Sequence, residues 1–538
     1  MAYIQPNSTV EFFADIGIDS NYENTLYFAS IASKDSYFNS LTKIATATAL
    51  SYSRETRGFI RVELPMSTLI NVGYMRFKNT SFENKWWYAF VTSVEYINNV
   101  TTQVNFILDV MMTWMGGFSL NQCFIERQHT LGDSIGANIA YENIPVGEYV
   151  CEGSSTTALF GDYYIVLFRS MHPSTDPNER EVITPAGALK QGTCAPILAT
   201  FYEYSTGGVT SLINKLEDLV EKNRGDEIIG IKLVPYYFGY STDLTAVPFT
   251  VTKPYTGSNA WGNFTPKNNK LYCFPYKYLE VENCEGESAN YKYEYFNSLP
   301  DNTSSGDCTF RIKGTSCTPE INIMCYPENY NGIDADIAHG LKMSDFPSIA
   351  WNVDGYRAYI AQRDSTLFAN IVSSAEVGGT IGAIVGGVPG ALIGAGAGAL
   401  KASAPMLADN ANKILGILSN GELPSRAPSQ TKGTLSSNLL VQSRQKNFYF
   451  RKMCITKNYA QMIDSYFDMY GYAIRQHGVP NMNARPYWTY VKTVGCSVDG
   501  NLPADDGARI EQIFDNGVRF WKDHTKIGQY SNYNNSPT

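Results

Sequence analysis

An uncharged run of 24 residues, 377–400, repeats glycine at every fourth position and limits the environments in which this chain can fold. The glycine column comprises Gly378, Gly382, Gly386, Gly390, Gly394 and Gly398. Two further columns are bulky and aliphatic, one with Val377, Ile381, Val385 and Ile393, the other with Ile384, Val388, Leu392 and Leu400. As a helix, the run would have one smooth side and one branched side, a pattern typical of helices that pack closely in lipid.

The length and glycine content of this run favour a membrane environment. As a helix it would be about 36 Å long, enough for a hydrocarbon core of ~30 Å. Its nine glycines would each cost roughly 1 kcal/mol relative to alanine in water, so an isolated aqueous helix is not expected. Lipid tolerates only helices or closed barrels. We therefore interpret the run as a conditional membrane segment, shielded in water and structured in a bilayer.

Pro389 leaves a second geometry open. It lies in the sequence Gly-Gly-Val-Pro-Gly (386–390), which is typical of a turn. The two arms of about ten to twelve residues are too short to cross a bilayer as helices, but they fit transmembrane strands. A helix and a β-hairpin therefore both remain possible. A flexible glycine-rich loop, or a buried element of a water-soluble fold, is the non-membrane alternative.

Length and composition predict a folded, β-rich chain of several domains. The chain has 538 residues, of which 44% are hydrophobic and 13% aromatic, so substantial cores are expected. The net charge of −9 and the lack of a dense basic run argue against nucleic acid as a binding target, because phosphate affinity comes from clustered Lys and Arg. Glu11 and Asp15 interrupt the N-terminus, so no signal peptide is expected there.

Motifs for catalysis or for cofactors are weak or missing, and we predict that the protein is not an enzyme and binds no metal or cofactor. There is no GxSxG or HExxH pattern, and the five histidines are scattered. Asp334, Asp336 and His339 lack supporting ligands. The ten cysteines include no CxxC pair, so reduced and mostly buried thiols are the default expectation. Disulfides that form after release from a cell are the alternative.

Hydrophobic periodicity predicts the local elements. Strands are expected at 59–64, 163–168 and 227–238, and a long hairpin is expected from 88–97 and 100–110, with Asp109 on its wet side. Helices are expected at 211–222, at 459–474 and at 508–522, the last capped by Asp505 or Asp506. The stretch 250–332 reads as loop-rich.

The order of these elements predicts four segments. A β-rich N-terminal domain occupies 1–150 and an inserted lobe of mixed structure 151–340. Residues 341–425 hold two helical stems, 356–374 and 406–418, on either side of the glycine-rich run, and 426–538 form a C-terminal domain with two helices. Packed sheets and the wall of a tube are both compatible with the two terminal domains. The predicted fold class is therefore β-rich α+β and multidomain, with the glycine-rich loop placed like the tip of a long hairpin.

Several short motifs stand out near the two ends of the chain. They lie at 73–79, 85–92, 106–114 and 124–129 near the N-terminus, and at 466–472, 513–521 and 527–530 near the C-terminus. These stretches resemble the tail-knob proteins, which form the distal tail tube of phi-29-like short-tailed phages (podoviruses) of Gram-positive bacteria. The order of a tube segment, a variable lobe, a hydrophobic Gly/Ala-rich loop and a second tube segment is similar as well. Residues 151–340 show no such resemblance.

The resemblance implies a homohexameric tube at the tail tip of the virion, with β-barrel-like domains around a DNA channel. The hydrophobic loops, here 371–420, would plug the channel and then insert into the host cell membrane, forming a pore for the genome. The implied partners are copies of this chain, the upstream tail tube or lower collar protein, membrane lipids, and double-stranded DNA that passes without sequence-specific binding. A pore-forming toxin-like oligomer and a tail-associated cell-wall hydrolase are the alternative functions.

Overall fold

The computed structural model describes residues 6–51, 58–157, 163–170, 181–184, 197–221, 225–235, 247–254, 260–296, 307–317, 320–332, 340–349, 351–352, 431–432, 441 and 445–537. The chain divides into two compact units. Unit 1 combines residues 1–150, 257–277 and 454–538, and unit 2 combines 151–256 and 278–453. The chain therefore passes between the units four times, and each unit is built from segments that are distant in sequence.

The first sheet of unit 1 has six strands in the order β3-β1-β5-β6-β7-β4. The strands are β1 (Ser8–Phe13), β3 (Lys43–Leu50), β4 (Phe59–Val62), β5 (Tyr74–Asn79), β6 (Phe82–Asn98) and β7 (Thr101–Leu108). Helices α1 (Ile31–Ser40), α2 (Met66–Leu69) and α3 (Val110–Trp114) follow β-strands of this region. Alternating residues of the sheet enter two different hydrophobic cores, with Met75 in one and Tyr74 in the other, so both faces of β5 are covered.

The predicted long hairpin is confirmed as β6 and β7, with one shift. Asn98 pairs with Thr101, so the turn is Asn99-Val100, one residue later than predicted. The predicted apolar face is buried along β7, as Val104 shows with 0% exposure, whereas Val100 in the turn is 59% exposed. Strand β6 is longer than predicted because its first half also pairs with β5.

The prediction that Asp109 lies on the wet side of the hairpin is wrong. Asp109 is completely buried, because it caps the N-terminus of α3 by accepting a hydrogen bond from Met112 N at 2.9 Å. Its carboxylate also accepts one from Tyr74 Oη at 2.9 Å. Burial raises the pKa of Asp109 to about 6, and these hydrogen bonds oppose the rise.

The second sheet of unit 1 brings the two ends of the chain together. Its order is β2-β28-β26-β9-β25, with β2 (Asn24–Leu26), β9 (Cys123–Gln128), β25 (Tyr472–Gly478), β26 (Trp488–Val494) and β28 (Val518–Trp521). Strand β2 pairs with β28 in parallel, Asn24 opposite Arg519. A small sheet pairs β8 (Phe118–Leu120) with β27 (Val498–Gly500). The buried rings of Trp488 and Trp521 pack at 4.8 Å between centroids and fill the core with aromatic surface.

The first C-terminal helix is shorter than predicted and turns a different face inward. Helix α5 (Lys457–Tyr470) ends at Gly471, which has φ +65°, and Ile474 belongs to strand β25. Met462 is 66% exposed although the periodicity placed it inside. The buried face carries Asp464 and Asp468 beside Ile463 and Phe467. Burial of two carboxylates requires partners from elsewhere in the chain, which periodicity does not reveal.

The second C-terminal helix, α6 (Ala504–Asn516), begins and ends earlier than the predicted 508–522. Gly517 terminates it with φ +92°, and Val518 to Trp521 continue as strand β28. The predicted cap is also wrong. Pro503 occupies the N-cap, while Asp505 and Asp506 lie in the first turn. There Asp506 accepts a hydrogen bond from Trp114 Nε1 at 2.8 Å.

The described residues of unit 2 form three larger sheets, a two-stranded sheet, one α-helix with described bounds and two short 3-10 helices. The sheet orders are β12-β13-β11-β14-β21, β10-β24-β16-β17, β15-β18-β19-β20 and β22-β23. The strands are β10 (Tyr149–Thr156), β11 (Tyr163–Ser170), β12 (Glu181–Thr184), β13 (Ile197–Glu203), β14 (Ile228–Pro235), β15 (Val247–Val251), β16 (Lys277–Glu282), β17 (Ser288–Tyr291), β18 (Cys308–Cys317), β19 (Glu320–Pro327), β20 (Leu341–Met343), β21 (Ser348–Ile349), β22 (Trp351–Asn352), β23 (Thr431–Lys432) and β24 (Tyr449–Ile455).

The predictions for unit 2 succeed where hydrophobic runs are continuous. The strands predicted at 163–168 and 227–238 are β11 and β14, and the helix predicted at 211–222 is α4 (Thr206–Glu221). Strand β11 is central in its sheet, and its run of apolar residues is buried on both faces. The loop-rich reading of 250–332 is wrong, because this stretch contains β16, β17, β18 and β19.

The described residues therefore form a β-rich fold with several sheets and few helices, as the predicted β-rich fold class requires. None of the helices in the described ranges combines the length and the apolar character that crossing a bilayer demands. The four-segment division of the chain stays a prediction. The two units are defined by contacts in space, and each contains parts of several predicted segments.

Candidate functional site

The fourteen predicted membrane-inserting residues, from Val377 to Leu400, lie outside the described residues, as do both predicted helical stems. Asp334, Asp336 and His339 lie outside them as well. The described chain stops at Asn352 and resumes at Thr431. We call the described residues that flank this interval, 348–349, 351–352 and 431–432, the root of the glycine-rich segment, and the candidate site is built from them.

The root closes on itself as an antiparallel pair of strands. Strand β22 pairs with β23, with Trp351 opposite Lys432 and Asn352 opposite Thr431. Neighbouring strands in a sheet lie about 4.8 Å apart. The described chain before residue 353 and after residue 430 is therefore joined at a single place.

A five-stranded sheet anchors the outgoing side of the root. Strand β21 pairs with β14, with Ile349 opposite Ile231, and Leu233 N donates to Pro347 O at 2.9 Å. Strand β14 in turn pairs along its length with the buried strand β11. The outgoing chain is thus fixed to the core of unit 2 up to two residues before β22 begins.

The returning side is fixed to the same sheet through a side chain. Tyr163 of β11 donates a hydrogen bond from Oη to Val441 O at 2.6 Å, and Val441 is completely buried. Further along, Phe448 and Phe450 enter the same hydrophobic core as β11. Both ends of the glycine-rich segment are therefore held by one core.

Lys446 joins the two sides directly. Its Nζ donates to Asp345 O at 3.1 Å and to the carbonyl oxygen of Ser344, and it forms an ion pair with Glu285 Oε1 at 2.7 Å. Glu285 also accepts a hydrogen bond from Ser344 N at 2.8 Å. We call Glu285, Ser344, Asp345 and Lys446 the clamp.

The burial of the clamp makes it a strong structural element. The Lys446 side chain is 0% exposed and that of Glu285 is 23% exposed. A charge at this depth is tolerated only when it is paired and hydrogen-bonded, and removal of one partner from a buried pair costs about 3–5 kcal/mol. The clamp therefore holds the outgoing and returning chains together through residues on either side of 353–430.

A second polar cluster, in unit 1, holds the inserted segment, which we define as residues 260–277. Asp464 of α5 accepts hydrogen bonds from Lys267 N and Asn268 N, both at 3.0 Å. Asp133 accepts one from Asn269 N at 2.8 Å. Burial raises the pKa of both carboxyls, and these hydrogen bonds oppose the rise. The backbone N–H groups that donate to the buried carboxylate of Asp464 on α5 thus come from a remote part of the chain.

His129 is a structural histidine, as expected for a lone histidine. It is 1% exposed, its Nδ1 accepts a hydrogen bond from Tyr490 N at 2.8 Å, and its Nε2 lies 3.1 Å from Phe467 O. The carbonyl requires a donor, so Nε2 carries the proton. Burial, with Arg485 nearby, lowers the pKa of His129 well below its ordinary value. Among the described residues, no cluster of His, Cys, Asp and Glu has the form of a metal site.

The exposed face of the hairpin carries a ladder of paired polar side chains. Asn105 Nδ2 donates to Ser93 Oγ at 2.7 Å and to Glu95 Oε1 at 2.6 Å. Gln103 Nε2 donates to Glu95 Oε2 at 3.1 Å, and Arg61 Nε donates to Gln103 Oε1 at 3.1 Å. The predicted wet side of the hairpin is confirmed at Gln103 and Asn105.

Sequence comparison assigns the fold to phage tails. A family model of the N-terminus of the caudoviral major tail protein matches residues 6–119, which include the six-stranded sheet of unit 1. The tail knob protein gp12 of bacteriophage C1 has a similar structure, with a TM-score of 0.56 and 13% identity over 97% of this chain and 98% of that one. The chain is thus a structural protein of a phage tail.

The particular family follows from a second model. The model of the C-terminal domain of tail knob protein gp9 of Bacillus phage phi29 matches residues 243–535. The tail knob proteins gp9 of Bacillus phages PZA and phi29 are 26% and 24% identical to this chain, with 99% of each chain covered. The chain belongs to the phi29 tail knob protein gp9 family, and its place is the tail of the virion. The predicted resemblance is confirmed, and these relatives are structural proteins.

Sequence reasoning missed the residues that hold the root in place. Lys446, Glu285 and Tyr163 are single residues in unrelated stretches and match no motif. Their roles are visible only in the folded chain, where β11 and the turn between β16 and β17 lie beside the returning chain.

Proposed function

We propose that six copies of this chain form the distal tube of the tail. The loop 371–420 of each copy, within the segment 353–430, plugs the channel before infection and then inserts into the host cell membrane as a pore for the genome. The uncharged run 377–400 is the inserting core. The partners on this proposal are the other copies, the upstream tail tube or lower collar protein, and the lipids of the host membrane.

The root is the observation that carries the proposal. Because Trp351 lies opposite Lys432 and the clamp holds both sides, the two ends of the segment 353–430 are held together by described parts of unit 2. A segment with fixed ends can change its surroundings while its ends stay where they are, since loop closure restricts only the ends. A membrane-inserting segment that is delivered by a rigid tube needs this arrangement.

The composition of 377–400 explains why a ring would be required. A run with nine glycines gains little from folding alone in water, where each glycine costs roughly 1 kcal/mol relative to alanine. Exposed apolar surface also leads to aggregation. The lumen of a closed ring would shield six such runs from water until the tail tip meets a membrane.

The polar ladder on the hairpin suits a wall that DNA must pass. Its amide N–H groups, on Gln103 and Asn105, are already donated to Glu95 and Ser93. Arg61 is the basic member of the ladder, and its Nε is donated to Gln103. Phosphate binding by a protein depends on available Lys and Arg side chains. A surface whose amide donors face Glu95 and Ser93, and which carries one arginine beside a carboxylate, would therefore hold DNA weakly and let it slide.

Charged substitutions in the run test the membrane role. The double variant Gly386→Glu/Gly394→Glu should assemble as the unmodified chain does but lose release of dye from liposomes, because two carboxylates at the centre of the run oppose burial in hydrocarbon. The matched control is Gly386→Ala/Gly394→Ala, which keeps the run apolar and should retain release. If the glutamate variant releases dye as well as the unmodified chain does, the run 377–400 is not the membrane-inserting part.

Imaging of the purified chain by negative stain distinguishes the tail tube from the toxin-like alternative. Sixfold rings or short tubes with a blocked lumen, seen without lipid, support the tube. A chain that stays monomeric and forms rings only after lipid is added would instead behave as a pore-forming toxin does. A Lys446→Met variant, imaged in parallel, tests whether the clamp is needed for the lumen to stay blocked.

A further inference from the structure

Two buried thiols face each other in unit 1. Cys123 begins strand β9, and Cys496 lies in the turn between β26 and β27. The exposed fractions of the two residues are 3% and 7%. Flanking contacts bracket the pair on both sides. Phe124 pairs with Val494, and Asn121 N donates to Ser497 O at 2.9 Å.

This bracketing fixes the separation of the two backbones. In the register that these contacts define, Cys123 lies opposite Gly495, and Cys496 is the next residue along the neighbouring chain. Directly opposite residues of antiparallel strands have Cα atoms about 4.5–5.5 Å apart, and a disulfide needs about 4.4–6.8 Å, so a neighbour displaced by one residue is within reach. The two thiols also interact with each other, and each influences the pKa of the other. Cys123 and Cys496 therefore lie within the spacing that a disulfide requires.

Asp515 of helix α6 holds the turn in this position. Its carboxylate accepts hydrogen bonds from Thr493 Oγ1 at 2.7 Å, from Gly495 N at 3.1 Å and from Cys496 N at 3.1 Å. Gly495 has φ +66°, which bends the chain after β26 and brings Cys496 back toward β9. The thiol pair is thus a consequence of the turn and not of chance proximity between mobile side chains.

We propose that Cys123 and Cys496 form a modification site that a small-molecule disulfide oxidises to a protein disulfide once the virion has left the reducing cytoplasm. One thiolate attacks the reagent disulfide and releases one reagent thiol. The second protein thiolate then attacks the mixed disulfide and releases the other. Two protein S–H bonds are replaced by one S–S bond, and the reagent disulfide takes up the two electrons and two protons as two thiols.

The surroundings make this oxidation slow and confine it to the pair. Burial raises the pKa of Cys496 to about 12, and Asp515 contributes to the rise. Burial likewise raises the pKa of Cys123. Little thiolate is therefore present near neutral pH, and in a reducing cell both groups stay thiols. The bond would link β9 to the C-terminal part of unit 1 across a very long loop, the case in which a disulfide restricts the unfolded chain most.

Peptide mapping of the oxidised full-length chain tests the proposal. The purified protein is incubated with oxidised glutathione at pH 8, alkylated under denaturing conditions and digested for mass spectrometry. A cross-linked peptide containing Cys123 and Cys496 is expected, and Cys308 and Cys325, which are buried in other strands, should be alkylated. The thermal midpoint should rise by roughly 5 °C and fall back after reduction. Neither change should occur in Cys123→Ser or Cys496→Ser.

The exposed Cys151 serves as the internal reference, because it shows that the reagent has acted. If Cys151 carries glutathione while Cys123 and Cys496 are both alkylated, the proposal is wrong. Glutathione retained on Cys496 without a cross-link overturns it equally. The mapping uses the unmodified chain, so the result does not depend on the folding of either serine variant.

Discussion

The side chain of Asn535 pairs with the backbone of Trp488 in the way that a neighbouring strand would. Its Nδ2 donates to Trp488 O at 2.9 Å, and its Oδ1 accepts from Trp488 N at 3.3 Å and from Tyr487 N at 3.0 Å. Asn535 is completely buried, three residues before the last residue of the chain. A single amide near the C-terminus thus completes the hydrogen bonding of a core strand.

Asn535→Ala should destabilise unit 1 by about 3 kcal/mol, because the variant leaves buried backbone groups of Tyr487 and Trp488 without their partner. Denaturant unfolding followed by tryptophan fluorescence measures the change. The neighbour Asn534 is exposed, so Asn534→Ala should change stability by less than about 0.5 kcal/mol. Equal effects of the two substitutions would contradict the role assigned to Asn535.

Gly471→Ala and Gly495→Ala separate steric clash from backbone strain. The two glycines have almost the same φ, +65° and +66°. A Cβ on Gly471 would lie 2.3 Å from the carbonyl carbon of Gln128, whereas a Cβ on Gly495 has no heavy atom within 4 Å. We expect a loss of about 3 kcal/mol or more at Gly471 and about 1 kcal/mol at Gly495.

Thermal unfolding of both glycine variants provides the comparison. If the two midpoints fall by the same amount, strain alone explains the need for glycine, and the close approach of α5 to strand β9 carries no cost of its own.

Lys446→Met should lower the stability of unit 2 by about 3 kcal/mol, since it breaks a buried ion pair and leaves two carbonyl oxygens without a donor. Arg451→Met is the matched control. Arg451 pairs with Glu282 at 2.6 Å, but its side chain is 39% exposed, and exposed pairs contribute less than about 1 kcal/mol. Limited proteolysis at the root, compared between the two variants, should show faster cleavage only for Lys446→Met.

Asp468→Asn should remove a pH dependence of stability. Burial raises the pKa of Asp468 to about 6, and the pairing of its carboxylate with Lys267 opposes the rise. The folded chain therefore binds more protons than the unfolded chain between about pH 4 and pH 6, so this group's contribution to stability falls as the pH rises through that window. The full change is roughly 3 kcal/mol.

Denaturant titrations at pH 4 and pH 7 measure this effect as a difference between the unmodified chain and Asp468→Asn. The unmodified chain should gain more stability on acidification than the variant does. A constant difference between the two proteins at both pH values would show that Asp468 titrates at its ordinary pKa.

Local patterns predicted the elements whose burial depends on their own sequence. The hairpin of β6 and β7 follows from alternation around Asn98 and Asn99, and β11 follows from an uninterrupted apolar run. The predicted helix continues to Ile474 because the apolar spacing continues past Tyr470. In the structure, Gly471 ends the helix by adopting a positive φ beside Gln128. Glycine inside a periodic pattern is ambiguous until its neighbour in space is known.

The inward face of α5 and the clamp show the limit of sequence reasoning. Asp464 can be buried because the backbone N–H groups of Lys267 and Asn268 donate to its carboxylate. Lys446 can be buried because its ammonium group pairs with Glu285 and donates to two carbonyl oxygens. In both cases the partners come from far away in the chain, so a rule based on polarity places these residues on the surface. The glycine-rich run was conspicuous in sequence for the opposite reason, since its pattern is entirely local.

The parallel pairing of β2 with β28, Asn24 opposite Arg519, has a consequence for how the protein is made. A ribosome that has produced the first half of the chain has supplied only two of the five strands of that sheet. Segments that emerge early must wait for the last ones before their shared core can close. A prematurely terminated product that lacks β28 therefore leaves β2 without its partner strand, and we expect such a product to be excluded from the particle because its core stays open.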